Sequence, residues 1–251
     1  NTKQSVLHEL LGKSFDFIEN FNQAFLNFSK MNKNSFDLAE NLGIRADDYR
    51  NNIVDLIHNF TKEPYISLES LEKNSVTSPI FIIGFPRSGT TLLDTILRSH
   101  PNIEVIEEKP LIDMIVATIA KPISPATLSA LSSKQLTKLR KLYDEESRRL
   151  VKPIKTGQII IDKFPLNIIH IPVIHALFPN SKYILVLRHP CDCVLSCFMQ
   201  NFEPNEAMAN FLNVKDTVTL YVNIMKLWSI YSERLKLNVE IVKYENLISN
   251  F

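Results

Sequence analysis

Three observations predict an α/β fold, a three-layer αβα arrangement around a central parallel sheet, preceded by a helical segment. From residue 79 onward, short and wholly apolar runs alternate with longer amphipathic stretches. One of these runs leads directly into a glycine-containing turn and then into a helix pattern. The first 62 residues contain no such run and show only helical spacing. Alternating β and α elements of this kind build parallel sheets with right-handed crossovers.

Residues 1–62 are polar and rich in asparagine. Phe15, Ile18, Phe21, Phe25 and Phe28 recur at intervals of three and four, the spacing of one amphipathic helix face. Ile53, Val54, Leu56, Ile57 and Phe60 predict a further helix. A 34-residue repeat cannot be demonstrated from so few helices. Residues 63–78 hold Pro64 and several Ser and Thr, and read as a linker to a domain spanning 79–251.

Ile80 to Ile83 is a short apolar strand. Leu92, Leu93, Ile96 and Leu97 then line a helix face that ends near Ser99-His100-Pro101, because proline cannot continue a helix. A short strand is expected at 103–106. Buried strands are expected at Gln158–Asp162, Lys182–Leu187 and Val239–Val242, since unbroken apolar runs mark strands covered on both faces. Helices fall between them, near 111–120, 134–151, 166–178, 190–200 and 214–236, with Pro172 interrupting the third.

Between the first strand and its helix stands Gly84-x4-Gly89-Thr90-Thr91. Glycines let the backbone approach an anion, successive N–H groups point at it, and the helix N-terminus adds partial positive charge. This is a P-loop-type turn, but a Walker A loop carries lysine where this chain has Thr90. The positive charge sits inside the loop instead, at Arg87. ATP and GTP are therefore disfavoured, because the Walker lysine neutralises their terminal phosphates. On its own, a glycine turn can also bind nothing.

Composition narrows the classes further. Hydrophobic residues make up 45% and charged residues 22%, as in ordinary globular proteins. A formal net charge of +1 gives no global field for nucleic acid or an anionic membrane, so any anion site is local. No apolar run reaches the roughly 18 residues of a membrane span, and the N-terminus has no signal-peptide pattern. The chain reads as a fragment cut at both ends. Cys191, Cys193 and Cys197 are odd in number and clustered on a predicted helix, which fits a reducing, cytoplasmic location better than a disulfide framework. Their spacing matches no zinc site, and they read as buried thiols acting as small hydrophobes.

The run Phe85-Pro-Arg-Ser-Gly-Thr-Thr-Leu92 resembles the 5′-phosphosulfate loop of sulfotransferases that use 3′-phosphoadenosine 5′-phosphosulfate (PAPS). The resemblance implies that Arg87, Ser88, Gly89, Thr90 and Thr91, flanked by Pro86 and Leu92, bind this co-substrate. A second segment, Arg188-His-Pro-x-Asp192-x3-Ser196, resembles the family's 3′-phosphate segment and implies that Arg188 and Ser196 hold that phosphate. Read by themselves these are a strand-end arginine and a helix serine. Many relatives carry a basic residue where this chain has Cys191, so one charge is missing there. Tyr244-Glu-Asn-Leu247 is similar to the family's Tyr-Glu-Asp-Leu segment, which implies Tyr244 near the adenine; otherwise Tyr244 is a packing residue.

On the acceptor side, sulfuryl transfer needs a base at the acceptor hydroxyl and cations at the transferring group. The stretch after the loop resembles that of tyrosylprotein sulfotransferases and related bacterial enzymes, where a His-Pro is followed by a glutamate base. Counted from His100, that position is Glu108. The same enzymes carry an arginine two residues later; Pro110 stands there in this chain, which argues against a protein-tyrosine acceptor. Asp162-Lys163-Phe-Pro165 closes another strand, and the family resemblance implies that Lys163 contacts the sulfuryl group or bridging oxygen beside Arg87. Without the resemblance, Lys163 is a solvated lysine and Glu108 an exposed helix-start carboxylate.

The expected activity is transfer of a sulfuryl group from PAPS to a hydroxyl or amine, with no metal required. A carbohydrate, lipid, peptide or small-molecule acceptor is open, and nucleic acid is not expected. Residues 1–62 resemble the end of a tetratricopeptide array, as in bacterial proteins that join such repeats to a sulfotransferase domain, and offer a surface to a protein partner. Two rivals remain at this point: a P-loop kinase or NTPase, which would turn over ATP with Mg²⁺, and a non-catalytic nucleotide-binding scaffold.

Overall fold

The computed structural model describes residues 2–63, 78–151 and 157–249. The expected linker at 63–78 lies, apart from its ends, outside the described residues. The chain divides into two compact units, one of Asn1–Asp55 with His189–Met225 and one of Leu56–Arg188 with Lys226–Phe251.

In the first unit, α1 (Thr2–Phe17) and α2 (Phe21–Asn41) pack on one another. The spacing of Phe15 to Phe28 predicts one amphipathic helix face, but these residues are divided between two helices. The chain breaks at residues 18–20, where Glu19 takes a left-handed φ of 59° and the Asn20 side chain caps α2 by accepting from the Gln23 N–H at 3.3 Å. A capping asparagine offers the backbone an alternative to continuing the helix. As a result Phe28 is buried with Ala24 and Met31, whereas Ile18, Phe21 and Phe25 are largely exposed. Phe198, at the end of α9 (Pro190–Phe198), joins this core, and the buried Asn32 amide donates to its carbonyl at 2.9 Å. Cys193 and Cys197 are buried as expected, but Cys191 is exposed, because it lies on the outer side of the first turn of α9.

The second unit is built on a five-stranded, wholly parallel sheet. Its strands are β1 (Ile80–Gly84), β2 (Ile103–Glu107), β3 (Ile159–Lys163), β4 (Lys182–Leu187) and β5 (Asn238–Lys243), in the order β2-β3-β1-β4-β5. All five expected strands form, each within one or two residues of its expected bounds. The expectation that 239–242 is buried on both faces is not met: β5 is an edge strand with Glu240 and Ile241 exposed, because among the described residues only β4 pairs with it. Side chains alternate across a strand, so the two faces have different partners. Ile82, Val105, Ile161 and Val186 face α4 (Thr90–Arg98) through Leu93 and also meet Leu247 of α11 (Tyr244–Ser249). Phe81 and Tyr183 face the other way and meet Tyr143 of α7 (Ser133–Leu150) and Phe178. Helices α5 (Leu111–Val116), α6 (Pro125–Ser129) and α8 (Ile171–Leu177) complete the flanks. The expected helix at 166–178 is a 3₁₀ turn over Pro165–His170 followed by α8, with the restart at Pro172. Helices α3 (Ala46–Lys62) and α10 (Val214–Arg234) run through the division between the units.

On the Phe81 face, Asp162 is fully buried and accepts from the Tyr143 hydroxyl at 2.9 Å. Burial pushes its carboxyl from 3.8 up to about 7, against the opposing pull of that hydrogen bond. The folded state thus keeps a proton that the unfolded chain has lost, and stability falls as pH rises from about 4 to about 7. Asp162→Asn is expected to flatten this slope. The check is the unfolding free energy of both proteins from denaturant titrations at about pH 5 and about pH 7.5. An unchanged slope would place the proton elsewhere.

Candidate active site

Because every strand runs the same way, all five carboxyl ends share one edge of the sheet, where ligands bind in open α/β folds. Gly84 ends β1, Glu107 ends β2, Lys163 ends β3, Arg188 follows β4 and Tyr244 follows β5. Residues predicted from separate segments of sequence are therefore collected on that edge.

The loop Gly84–Thr91 has the backbone an anion cradle requires. Arg87 takes φ 67° and Gly89 φ 102°, so residues of left-handed conformation alternate with ordinary ones and turn successive N–H groups inward. A side chain at Gly84 would sit 2.7 Å from the Val186 carbonyl oxygen, and one at Gly89 would sit 2.4 Å from the Tyr244 ring. Only glycine fits at either place. Gly89 is also the N-cap of α4 and provides no capping side chain, so the first-turn amides of α4 stay open to a ligand. Ser88 is buried, and its hydroxyl has no hydrogen-bond partner among the described residues. A buried unpaired hydroxyl is costly in the free protein, and an anionic oxygen is the acceptor it lacks. The loop therefore fits a phosphate or phosphosulfate group. Pro86 and Thr90 are buried, and Arg87, Thr91 and Leu92 are exposed.

Arg188 reaches back to this loop. Its Nη1 donates to the Arg87 carbonyl at 3.3 Å, and its guanidinium lies 4.7 Å from the centroid of the Tyr244 ring. Tyr244 in turn packs on Gly89. Arg87, Gly89, Arg188 and Tyr244 thus form one neighbourhood. Ser196 is half-buried on α9, in the helical unit.

Lys163 is not a solvated strand-end lysine: it is 0% exposed. Its ammonium donates to Glu108 Oε1 at 2.8 Å and Glu107 Oε1 at 3.1 Å, and Asp94 Oδ2 lies 4.0 Å away. Register explains the pairing, since Glu107 and Lys163 are directly opposed across β2 and β3. Glu108 leaves the strand with φ 48°, its N–H held by the Lys163 carbonyl at 2.8 Å. Arg87 and Glu108 are two of three non-glycine residues with positive φ among the described residues. Such strain persists where surrounding structure enforces it, often at functional sites.

The residues that sequence reasoning missed are Asp94, Arg98 and Glu107. Asp94 is 2% exposed and is gripped by Arg98 one turn later, with Arg98 Nη2 to Asp94 Oδ2 at 3.0 Å. The same Nη2 donates to Glu107 Oε2 at 3.0 Å. The hydrogen bond from Lys163, aided by the charges of Lys163 and Arg98, holds the Glu107 carboxyl below the usual range. Arg98 is raised above its own ordinary value, chiefly by its hydrogen bond to Asp94. The i,i+4 spacing of Asp94 and Arg98 was a legible signal; their link to Lys163 was not. Among the described residues no cluster of His, Cys, Asp and Glu is placed to hold a metal ion, and no helix is long and apolar enough to cross a membrane.

The chain is 29% identical over 215 residues to a protein of Aquifex aeolicus described as uncharacterized, covering 82% of this chain and 27% of that protein. It is 29% identical over 114 residues to protein-tyrosine sulfotransferase 1 of Homo sapiens, covering 43% of this chain and 30% of the relative. It is 28% identical over 119 residues to the nodulation protein NoeE of Sinorhizobium fredii, covering 44% and 28%. The chain spans less than a third of the length of each of these relatives. Residues 79–251, the whole of the sheet and its loop, match the model of the sulfotransferase family, and the chain belongs to that family.

Proposed function

We propose that this protein transfers a sulfuryl group from PAPS to a hydroxyl or amine acceptor, by in-line attack with Glu108 as base. The observation that carries the reading is the fully buried Lys163 ammonium, held by Glu107 and Glu108 beside the helix that grows from the anion loop. PAPS supplies the activated sulfuryl group and a phosphate leaving group. The loop amides and the Ser88 hydroxyl bind the 5′ anion, with Arg87 beside them. Lys163 has donors enough to keep its carboxylate partners and still face the transferring group. Positive charge fixed there before reaction stabilises developing charge without reorganisation. Glu108 is 54% exposed, so an acceptor can reach it, and it accepts the acceptor's proton. Arg188 anchors the 3′-phosphate, with Tyr244 under its guanidinium; Ser196 keeps the 3′-phosphate role that its segment's resemblance implies.

The deciding experiment is calorimetric titration of the protein with 3′-phosphoadenosine 5′-phosphate, against ATP with Mg²⁺. Micromolar binding of the first and none of the second is expected. Preference for ATP with Mg²⁺ would replace this reading with a phosphotransferase, and nucleotide binding without transfer to any acceptor would favour a scaffold. Arg188→Ala is expected to weaken binding of the bisphosphate by about 1.5–3 kcal/mol, the worth of hydrogen bonds to charged groups. Unchanged affinity would move the 3′-phosphate away from Arg188.

A further inference from the structure

The charged groups around Lys163 close into a ring. Arg98 Nη2 donates to Asp94 Oδ2 and to Glu107 Oε2, each at 3.0 Å, and Arg98 Nε also donates to Asp94 Oδ1. Asp94 Oδ2 stands 4.0 Å from the Lys163 ammonium, and Glu107 Oε1 accepts from it at 3.1 Å. Three carboxylates and two cations thus share one site, and only Glu108 stands outside the ring, joined through Lys163.

We propose that Arg98 is a positioning residue: by clamping Asp94 and Glu107 together it fixes the Lys163 ammonium against Glu108 and toward the transferring group. Three physical points support this. First, Lys163 and Asp94 are almost wholly buried, so their geometry matters far more than that of a surface pair. Second, the grip on Asp94 uses both carboxylate oxygens, a planar match that a guanidinium can make and an ammonium cannot. Third, Glu107 is 46% exposed and ends a strand, so without Arg98 its carboxylate is free to swing toward water. Lys163 would then follow Asp94 or Glu107 rather than hold one direction. Loss of the Arg98 charge would also leave the ring more negative beside a site that must accept an anionic donor.

This proposal rests on the sulfuryl-transfer reading, and its test separates the two. Arg98→Met and Arg98→Lys are to be compared with the unaltered protein in three measurements. The first is the affinity and stoichiometry for 3′-phosphoadenosine 5′-phosphate, with a thermal melt alongside. The second is kcat and KM for sulfuryl transfer. The third is the carbon-13 titration of the Glu107 carboxyl in the ligand-free protein. In Arg98→Met, kcat is expected to fall about tenfold or more, of the order that misplacing a catalytic group costs. Bisphosphate affinity should stay within a factor of two to three, and the Glu107 midpoint should rise. Arg98→Lys should keep the Glu107 midpoint low but recover kcat only in part, because the charge returns without the fork. Unaltered kcat in Arg98→Met would overturn the proposal. So would a loss of kcat that merely parallels a loss of bisphosphate-binding sites and of melting temperature. If the unaltered protein neither binds the bisphosphate nor transfers sulfuryl groups, the activity reading fails. The Glu107 titration still reports then on whether Arg98 clamps the ring.

Discussion

Glu108→Gln is expected to lower turnover by roughly 10²–10⁴-fold, the usual share of a general base, while leaving nucleotide affinity unchanged. The structure offers two adjacent glutamates at Lys163, and their surroundings separate them. Glu107 has one oxygen on Lys163 and the other on Arg98, and its carboxyl is held below the usual range, so it is a poor proton acceptor. The Glu108 carboxylate accepts one hydrogen bond among the described residues, from the Lys163 ammonium, and its side chain is more than half exposed. That exposure leaves the carboxylate open to an arriving acceptor. Glutamine keeps the length, and its carbonyl oxygen still accepts from Lys163, so the fold should survive. Single-turnover transfer and calorimetry on the same sample check the split. Undiminished transfer would remove Glu108 from the mechanism and direct attention to Glu107.

Lys163→Met should be nearly as damaging to turnover, by about 10²–10³-fold, the cost typical of deleting one preorganised electrostatic donor. Methionine matches the unbranched stem, so the buried channel stays filled. What disappears is the shared counter-charge of Asp94, Glu107 and Glu108. Removing one partner of a buried pair costs up to about 3–5 kcal/mol of stability. The expected loss here is at or below the lower end, since Asp94 keeps Arg98 and both glutamates can turn toward water. Denaturant titration measures that loss, and active-site titration with the bisphosphate allows turnover to be counted per folded molecule. Turnover near the unaltered level, per bound nucleotide, would reduce Lys163 to a structural ion pair.

Much of the architecture was legible because its signals are local. A strand covered on both faces reads as a near-continuous apolar run, as Tyr183–Leu187 does. A tight anion-binding turn needs glycine where the backbone bends or meets a neighbour, as at Gly84 and Gly89. Where one capping side chain competes with a longer periodic pattern, sequence spacing misleads: Asn20 caps a new helix within the period that runs from Phe15 to Phe28. Likewise, three clustered cysteines do not announce which one a helix turn leaves exposed.

The sheet, the loop with its arginine, and Arg188 at the end of a neighbouring strand are thus written in local stretches of chain. That Lys163 is a buried cation rather than a solvated one emerges only when those stretches pack. That outcome depends on residues 94, 107, 108 and 163, which meet through the β2–β3 register and the packing of α4 over the sheet. No local pattern encodes such a meeting, because burial and charge pairing belong to the assembled sheet edge and not to any single stretch of chain.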